Sequence, residues 1–188
     1  MEARGTRKRW TYAEFARLPE SGRTRYEVID DELVVTPGPS RLHQRVVGEL
    51  FYHLMGFVRE HELGELFTGP FDILFAEGDY LEPDILFVRS DHAEIVSERG
   101  VEGPPDLVVE VVSPATAQRD RGIKLQRYRL YGVVEYWVVD PEAETIDAWA
   151  FGGGTENHRV IEPPAALIWS PEADGPALEI RLDELFGK

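Results

Sequence analysis

Two apolar runs frame residues 107–139 and constrain the fold more than any other feature of the chain. The first, Leu107-Val108-Val109-Glu110-Val111-Val112, is continuous hydrocarbon apart from one carboxylate. Ser113-Pro114 ends it, a helix is expected over about 116–131, and Val133–Val139 forms the second run. Runs that are apolar at every position belong to strands covered on both faces. A strand–helix–strand unit favours parallel pairing, so the expected fold is α/β, with a mixed β-sheet flanked by helices.

The flanking chain adds antiparallel elements. A short helix is expected over 10–20, with Thr11 as its N-cap ahead of Tyr12, Phe15 and Leu18. Tyr26–Ile29 and Leu33–Val35, separated by Asp30-Asp31-Glu32, read as an N-terminal β-hairpin. After the Pro37-Gly38-Pro39 break, Ser40 caps a helix over roughly 41–60. Its stripe of Val46, Val47, Leu50, Leu54, Phe57 and Val58 has helical spacing. Phe71–Phe75 and Leu81–Val88 read as a second hairpin, with Asp72 on one strand and Asp84 on the other. Residues 89–105 read as a loop or short helix, and Thr145–Phe151 as a strand beside Val133–Val139. Gly152-Gly153-Gly154 marks a tight turn, and Leu178–Leu182 is a last amphipathic stretch. The chain reads as one domain over 1–188, with 1–20 as an arm and 142–188 as a peripheral C-terminal extension.

Composition narrows the function. The 35 acidic residues outnumber the 20 basic ones, for a net charge of −15. That argues against a broad basic footprint for nucleic acid, and leaves a local cleft or a metal ion to supply positive charge. Cysteine is absent, which excludes disulfides and thiolate chemistry. No window approaches eighteen consecutive apolar residues, so no membrane span is expected. The basic stretch Met1–Trp10 leads into no apolar segment, so it does not read as a secretory signal and a cytoplasmic location is expected.

Glu110 is the first candidate for chemistry. Strand side chains alternate, so it shares a face with Val108 and Val112 in a place built for hydrocarbon. An unpaired buried carboxylate is costly, which leaves two readings: a structural salt bridge to the next helix, or a metal ligand. Asp84 follows Pro83, which donates no ladder hydrogen bond and interrupts its strand. Such a break aims a side chain into a cleft; the plainer reading is a turn. Pro105-Asp106 repeats the signal, but Asp106 lies roughly 13 Å along the strand from Glu110 and reads as a turn residue. Two carboxylates on neighbouring strands suit Mg²⁺, with Mn²⁺ as the alternative ion.

Lysine usage supplies the third part. The chain has three lysines against seventeen arginines, and Lys8 and Lys188 lie near its ends. Lys124, fourteen residues after Glu110, is a candidate to stabilise charge on a phosphoryl group. It also stands four residues after Asp120, the spacing of an ordinary exposed helix bridge. His43 points along the buried helix stripe and is a candidate to position water or contact phosphate, with a structural histidine as the alternative. Glu27, Gln44, Asp72 and Ser113 are secondary candidates. Tyr128, Tyr136 and Trp137 read as packing residues.

Taken together, Pro83-Asp84, the run from Glu110 to Thr116, Asp120, Lys124, Tyr128 and the block from Gly132 to Pro141 resemble the Uma-two family of restriction endonucleases, in the PD-(D/E)XK nuclease superfamily. The N-terminal segments Tyr26–Asp30 and Ser40–Gln44 are similar as well. The resemblance covers roughly residues 20–142 and is most specific over 106–141. It implies a restriction-endonuclease-like core, Mg²⁺-dependent hydrolysis of DNA, and a homodimer or higher homo-oligomer. It maps the motif's Asp onto Asp84 and its acidic partner onto Glu110. The motif lysine falls on Val112, which cannot serve, and the superfamily's habit of moving it to the following helix points to Lys124. Two alternatives stand beside this: a nuclease fold that has lost its chemistry and serves in binding or regulation, and a metal-dependent hydrolase of a small phosphorylated substrate.

Overall fold

The computed structural model describes residues 9–19, 24–152 and 157–187. Lys8 with the basic stretch 1–8, the last residue of the expected 10–20 helix, Gly153-Gly154 and Lys188 lie outside them. Helix α1 (Tyr12–Phe15) is shorter than expected but starts at a capping box, with Thr11 Oγ1 accepting from the Glu14 amide and the Glu14 carboxylate from the Thr11 amide. Strands β1 (Thr24–Ile29) and β2 (Glu32–Pro37) form the N-terminal hairpin. Asp30 and Asp31 turn it at φ 54° and 63°, the left-handed pair that a two-residue turn requires. Helix α2 (Arg41–Glu60) begins where Ser40 Oγ accepts from the His43 amide at 3.2 Å.

Next come β3 (Gly64–Thr68), β4 (Ile73–Ala76), β5 (Asp79–Leu81) and β6 (Ile85–Arg89). The loop region 89–105 holds a short 3₁₀ turn and the small strands β7 (Val96–Ser97) and β8 (Gly100–Val101). Strand β9 (Leu107–Val111) leads to helix α3 (Ala117–Arg119), a π-helical turn over Asp120–Lys124, and helix α4 (Leu125–Tyr131). Strands β10 (Glu135–Asp140), β11 (Thr145–Ala150), β12 (Asn157–Ile161), β13 (Ala166–Trp169) and β14 (Leu178–Arg181) follow, and α5 (Leu182–Phe186) closes the chain.

These elements make an α/β fold with two mixed sheets, ordered β2-β1-β5-β4-β8-β7 and β12-β11-β10-β9-β6-β3. Strands β9 and β10 are parallel neighbours, as the strand–helix–strand pattern predicts. The alternation along β9 sorts the core. Leu107, Val109 and Val111 pack with Leu50, Leu54 and Trp137. Val108 and Val112 pack instead with Leu81, Tyr128 and Val138. Glu110 belongs to this second face, between the two sheets.

Two expectations are corrected. The stretch Leu81–Val88 is not one strand of a hairpin. Strand β5 pairs with β4 in the first sheet, whereas β6 pairs with β3 and β9 in the second. Pro83, with no amide hydrogen to give, sits in the link at which the chain changes sheets. Nor is the segment 142–188 peripheral. Strands β11 and β12 extend the second sheet, and Trp169 packs edge-on against Phe87 and Trp137 in the main core.

Candidate active site

The change of sheets opens a cleft of about 470 Å³ between the β1–β2 hairpin, the start of α2, the 82–84 link, the end of β9 and the helix that follows it. Asp84, Glu110, Lys124, His43, Glu27, Gln44 and Ser113 all line it. Asp72 does not: it precedes β4, in the sheet away from β6, and its carbonyl accepts from the Val101 amide. Its placement corrects the expectation that it faces Asp84 across a hairpin. Burial and the nearby Glu27 push the Asp72 carboxyl up to about 6.

Asp84 is tied down on every side. Its amide donates to the Val109 carbonyl and its Oδ2 accepts from the Val111 amide at 2.7 Å, so β9 itself sets its position. His43 Nε2 lies 3.1 Å from the same oxygen, and both terminal nitrogens of Arg25 donate to Oδ1 at 3.0 Å. Burial is the largest influence and opposes ionisation, but the His43 hydrogen bond, the Arg25 charge and the Val111 amide together hold the carboxyl below its usual range.

Glu110 meets the helix. Its Oε1 accepts from Lys124 Nζ at 2.7 Å and from Tyr128 Oη at 2.9 Å, donors one helical turn apart. Lys124 is 1% exposed, and its ammonium also reaches Glu27 Oε1 at 2.6 Å and Asp120 Oδ1 at 3.8 Å. The exposed-bridge reading of the Asp120–Lys124 spacing is therefore overturned: both side chains are buried. The π turn widens the helix where they leave it, a local geometry frequent at functional sites.

Electrostatics in the cleft are unbalanced. Five carboxylates (Glu27, Glu82, Asp84, Glu110 and Asp120) face three permanent cations (Arg25, Arg119 and Lys124). Burial drives the Glu110 carboxyl up to about 8 despite Lys124, and the Glu82 carboxyl to about 7 despite Arg25. Asp120 is raised by burial as well. Lys124 keeps its proton: burial opposes the charge, but Glu110, Glu27 and Asp120 outweigh it. Glu27 Oε2, Asp120 Oδ1 and His43 Nδ1 are buried without a hydrogen-bond partner.

Carboxylate oxygens are hard donors, and a divalent cation would favour the ionised forms of Glu110, Glu82 and Asp120 that burial disfavours. Among the described residues, no three or more His, Asp or Glu side chains are grouped closely enough to hold an ion by themselves. An ion held here would take one or two carboxylates and keep several waters, as Mg²⁺ does.

Three charged residues of the cleft, Arg25, Glu82 and Arg119, escaped sequence reasoning. Arg25 stands two positions from Glu27 on β1, so strand alternation puts both on one face. Glu82 adjoins the Pro83 break, and its side chain takes Arg25 Nε at 2.7 Å. Arg119 and Asp120 sit at the start of the helix, where Arg119 donates to Thr36 Oγ1 at 2.9 Å. Tyr128 is a packing residue as expected, yet its hydroxyl also belongs to the Glu110 network. Val112 is buried in the core, and Asp106 fastens the Arg89 amide.

A family model described as Uma2, "Putative restriction endonuclease", matches residues 12–182. Among solved structures, the chain is similar to one titled a putative nuclease belonging to DUF820 from Anabaena variabilis ATCC 29413. Identity is 19% and the TM-score 0.75, over 93% of this chain and 96% of that one. No curated protein matches the chain.

Proposed function

We propose, from the premise that this chain belongs to the Uma2 family of putative restriction endonucleases, that it hydrolyses DNA phosphodiester bonds with a divalent cation held at Asp84 and Glu110. The observation that carries the reading is Lys124, a buried ammonium brought to Glu110 Oε1 by the helix after β9. Apolar side chains in place of the whole buried cluster would serve stability as well, so the buried charge points to a role in chemistry.

Asp84 and Glu110 would hold Mg²⁺ or Mn²⁺, with water completing the shell. Such an ion, when bound, polarises a phosphoryl oxygen and acidifies a water molecule. Lys124 supplies a fixed positive charge beside Glu110, where it offsets charge growing on the phosphate. Tyr128 and Glu27 hold that ammonium and carboxylate in register. His43 and Arg25 hold Asp84, and Arg25 and Arg119, with 22% and 21% of their side chains exposed, are cations open to an incoming phosphate.

A second reading, hydrolysis of a small phosphorylated substrate, is favoured by the chain's net charge of −15, because a small substrate needs no broad basic footprint. Metal-dependent nicking of plasmid DNA, absent in a Lys124→Ala chain, tests the first reading; release of phosphate from mononucleotides without nicking would favour the second.

A further inference from the structure

Beside the main cleft lies a second pocket of about 200 Å³. Gln44, Val47, Gly48 and Phe51 of α2 form one side and Thr68-Gly69 the other; Arg25, His43, Gln44, Gly69 and Asp84 line both cavities. The four helix positions are spaced as one face of α2. Gly48 leaves the helix backbone bare there, since an added Cβ would meet nothing within 4 Å. Val47 and Phe51 are half-buried and border that bare patch, and the exposed carboxamide of Gln44 brings a donor and an acceptor to its rim.

We propose that this pocket is a nucleobase subsite: it holds the unpaired base adjoining the phosphate at Asp84, so the protein acts on single-stranded or extruded nucleotides. The proposal rests on the phosphodiester reading above. Three features point to a base. Val47 and the aromatic ring of Phe51 give an otherwise polar pocket one apolar side, which suits stacking, and Gln44 offers hydrogen bonds to a base edge. The wall shared with the phosphate cleft places the two subsites one beside the other, as base and phosphate are in a nucleotide. A base still in a duplex has both faces stacked and its edge paired, so only an unpaired one can enter. The net charge of −15 agrees, because a stacked base supplies affinity without the many phosphate contacts that duplex binding needs.

The test compares wild type, Gly48→Ala and Gly48→Leu in Mg²⁺, using fluorescence anisotropy. The probes are a nuclease-resistant phosphorothioate oligothymidylate, a fully abasic strand of equal length and a blunt duplex. Gly48→Leu should weaken oligothymidylate binding about tenfold by filling the pocket, within the range of one lost stacking contact. Gly48→Ala should stay within about twofold of wild type. The abasic strand and the duplex should bind weakly and equally to all three proteins. Both substitutions point into open space and replace a helical glycine, so melting temperatures should not fall; Phe51→Ala provides an independent variant should Gly48→Leu melt early. Equal binding of oligothymidylate by wild type and Gly48→Leu, or of thymidylate and abasic strands by wild type, overturns the subsite. If Lys124-dependent plasmid nicking persists in that case, the nuclease reading survives alone. If wild type binds no strand at all, both fall.

Discussion

Lys124 Nζ lies 2.6 Å from Glu27 Oε1, joining the helix after β9 to the N-terminal hairpin. The same ammonium meets Glu110 at 2.7 Å, so it is held by one carboxylate from each of the two large sheets. The candidate active site is the seam between those sheets. Asp84 sits at the same seam because the chain crosses it through the Pro83 break.

Removing the lysine should therefore cost stability as well as chemistry. Lys124→Met leaves Glu110 and Glu27 buried together without their cation. Urea unfolding should show a loss of about 3–5 kcal/mol, the range for breaking a buried pair from one side. Adding Glu27→Gln to that variant removes a carboxylate left without its cation and should recover part of the loss. No loss in Lys124→Met would mean that the ammonium is not held as described.

Stability should decline as pH rises towards 8. The Glu110 carboxyl is raised from 4.5 to about 8, and Glu82 from 4.5 to about 7. Between those values the folded chain keeps protons that the unfolded chain has lost, so raising pH favours unfolding. Asp84 acts in the opposite sense: its lowered carboxyl contributes stability that is lost as pH falls below its ordinary range. Melting temperature should thus peak in mild acid and fall towards neutrality, and Glu110→Gln should flatten that fall. A melting temperature that climbs steadily from pH 5 to pH 8 would contradict this.

Divalent ions should act against that decline. A cation binds the ionised carboxylates, so Mg²⁺ or Mn²⁺ should raise the melting temperature more near pH 8 than near pH 5. Calorimetric titration with Mn²⁺ should show binding to the wild-type chain that Asp84→Asn and Glu110→Gln each abolish. Equal binding by all three chains would place the ion elsewhere.

Much of this arrangement was legible from residues alone. Continuous apolar runs around 107–139 announce a doubly covered parallel pair, and the helical spacing of Val46, Leu50 and Leu54 marks the buried face of α2. Glu110 stood out because hydrocarbon surrounds it in sequence. The depth of Lys124 was not legible, since an i, i+4 pair looks the same on a solvated helix as on a buried one and no simple pattern announces a π turn. Nor did the sequence disclose that Leu81 and Ile85 lie in different sheets, because both sides of Pro83 are equally strand-like. Arg25 and Glu82 were missed because charged residues near a turn are ordinarily solvated; here the chain's crossing of the seam brings them inward. The C-terminal segment looked peripheral because proline and acidic residues break its apolar stretches, yet Trp169 and Leu182 reach the main core.

Cleavage itself gives the most direct test of the central claim, that Asp84, Glu110 and Lys124 form one metal-dependent phosphodiesterase site. Supercoiled plasmid and branched DNA, incubated with Mg²⁺ or Mn²⁺, should be nicked by the wild-type chain and protected by chelation. Nicking should fall by about 10²-fold or more in folded Asp84→Ala and Lys124→Ala chains. Metal-dependent nicking that survives both substitutions at the wild-type rate would contradict the account.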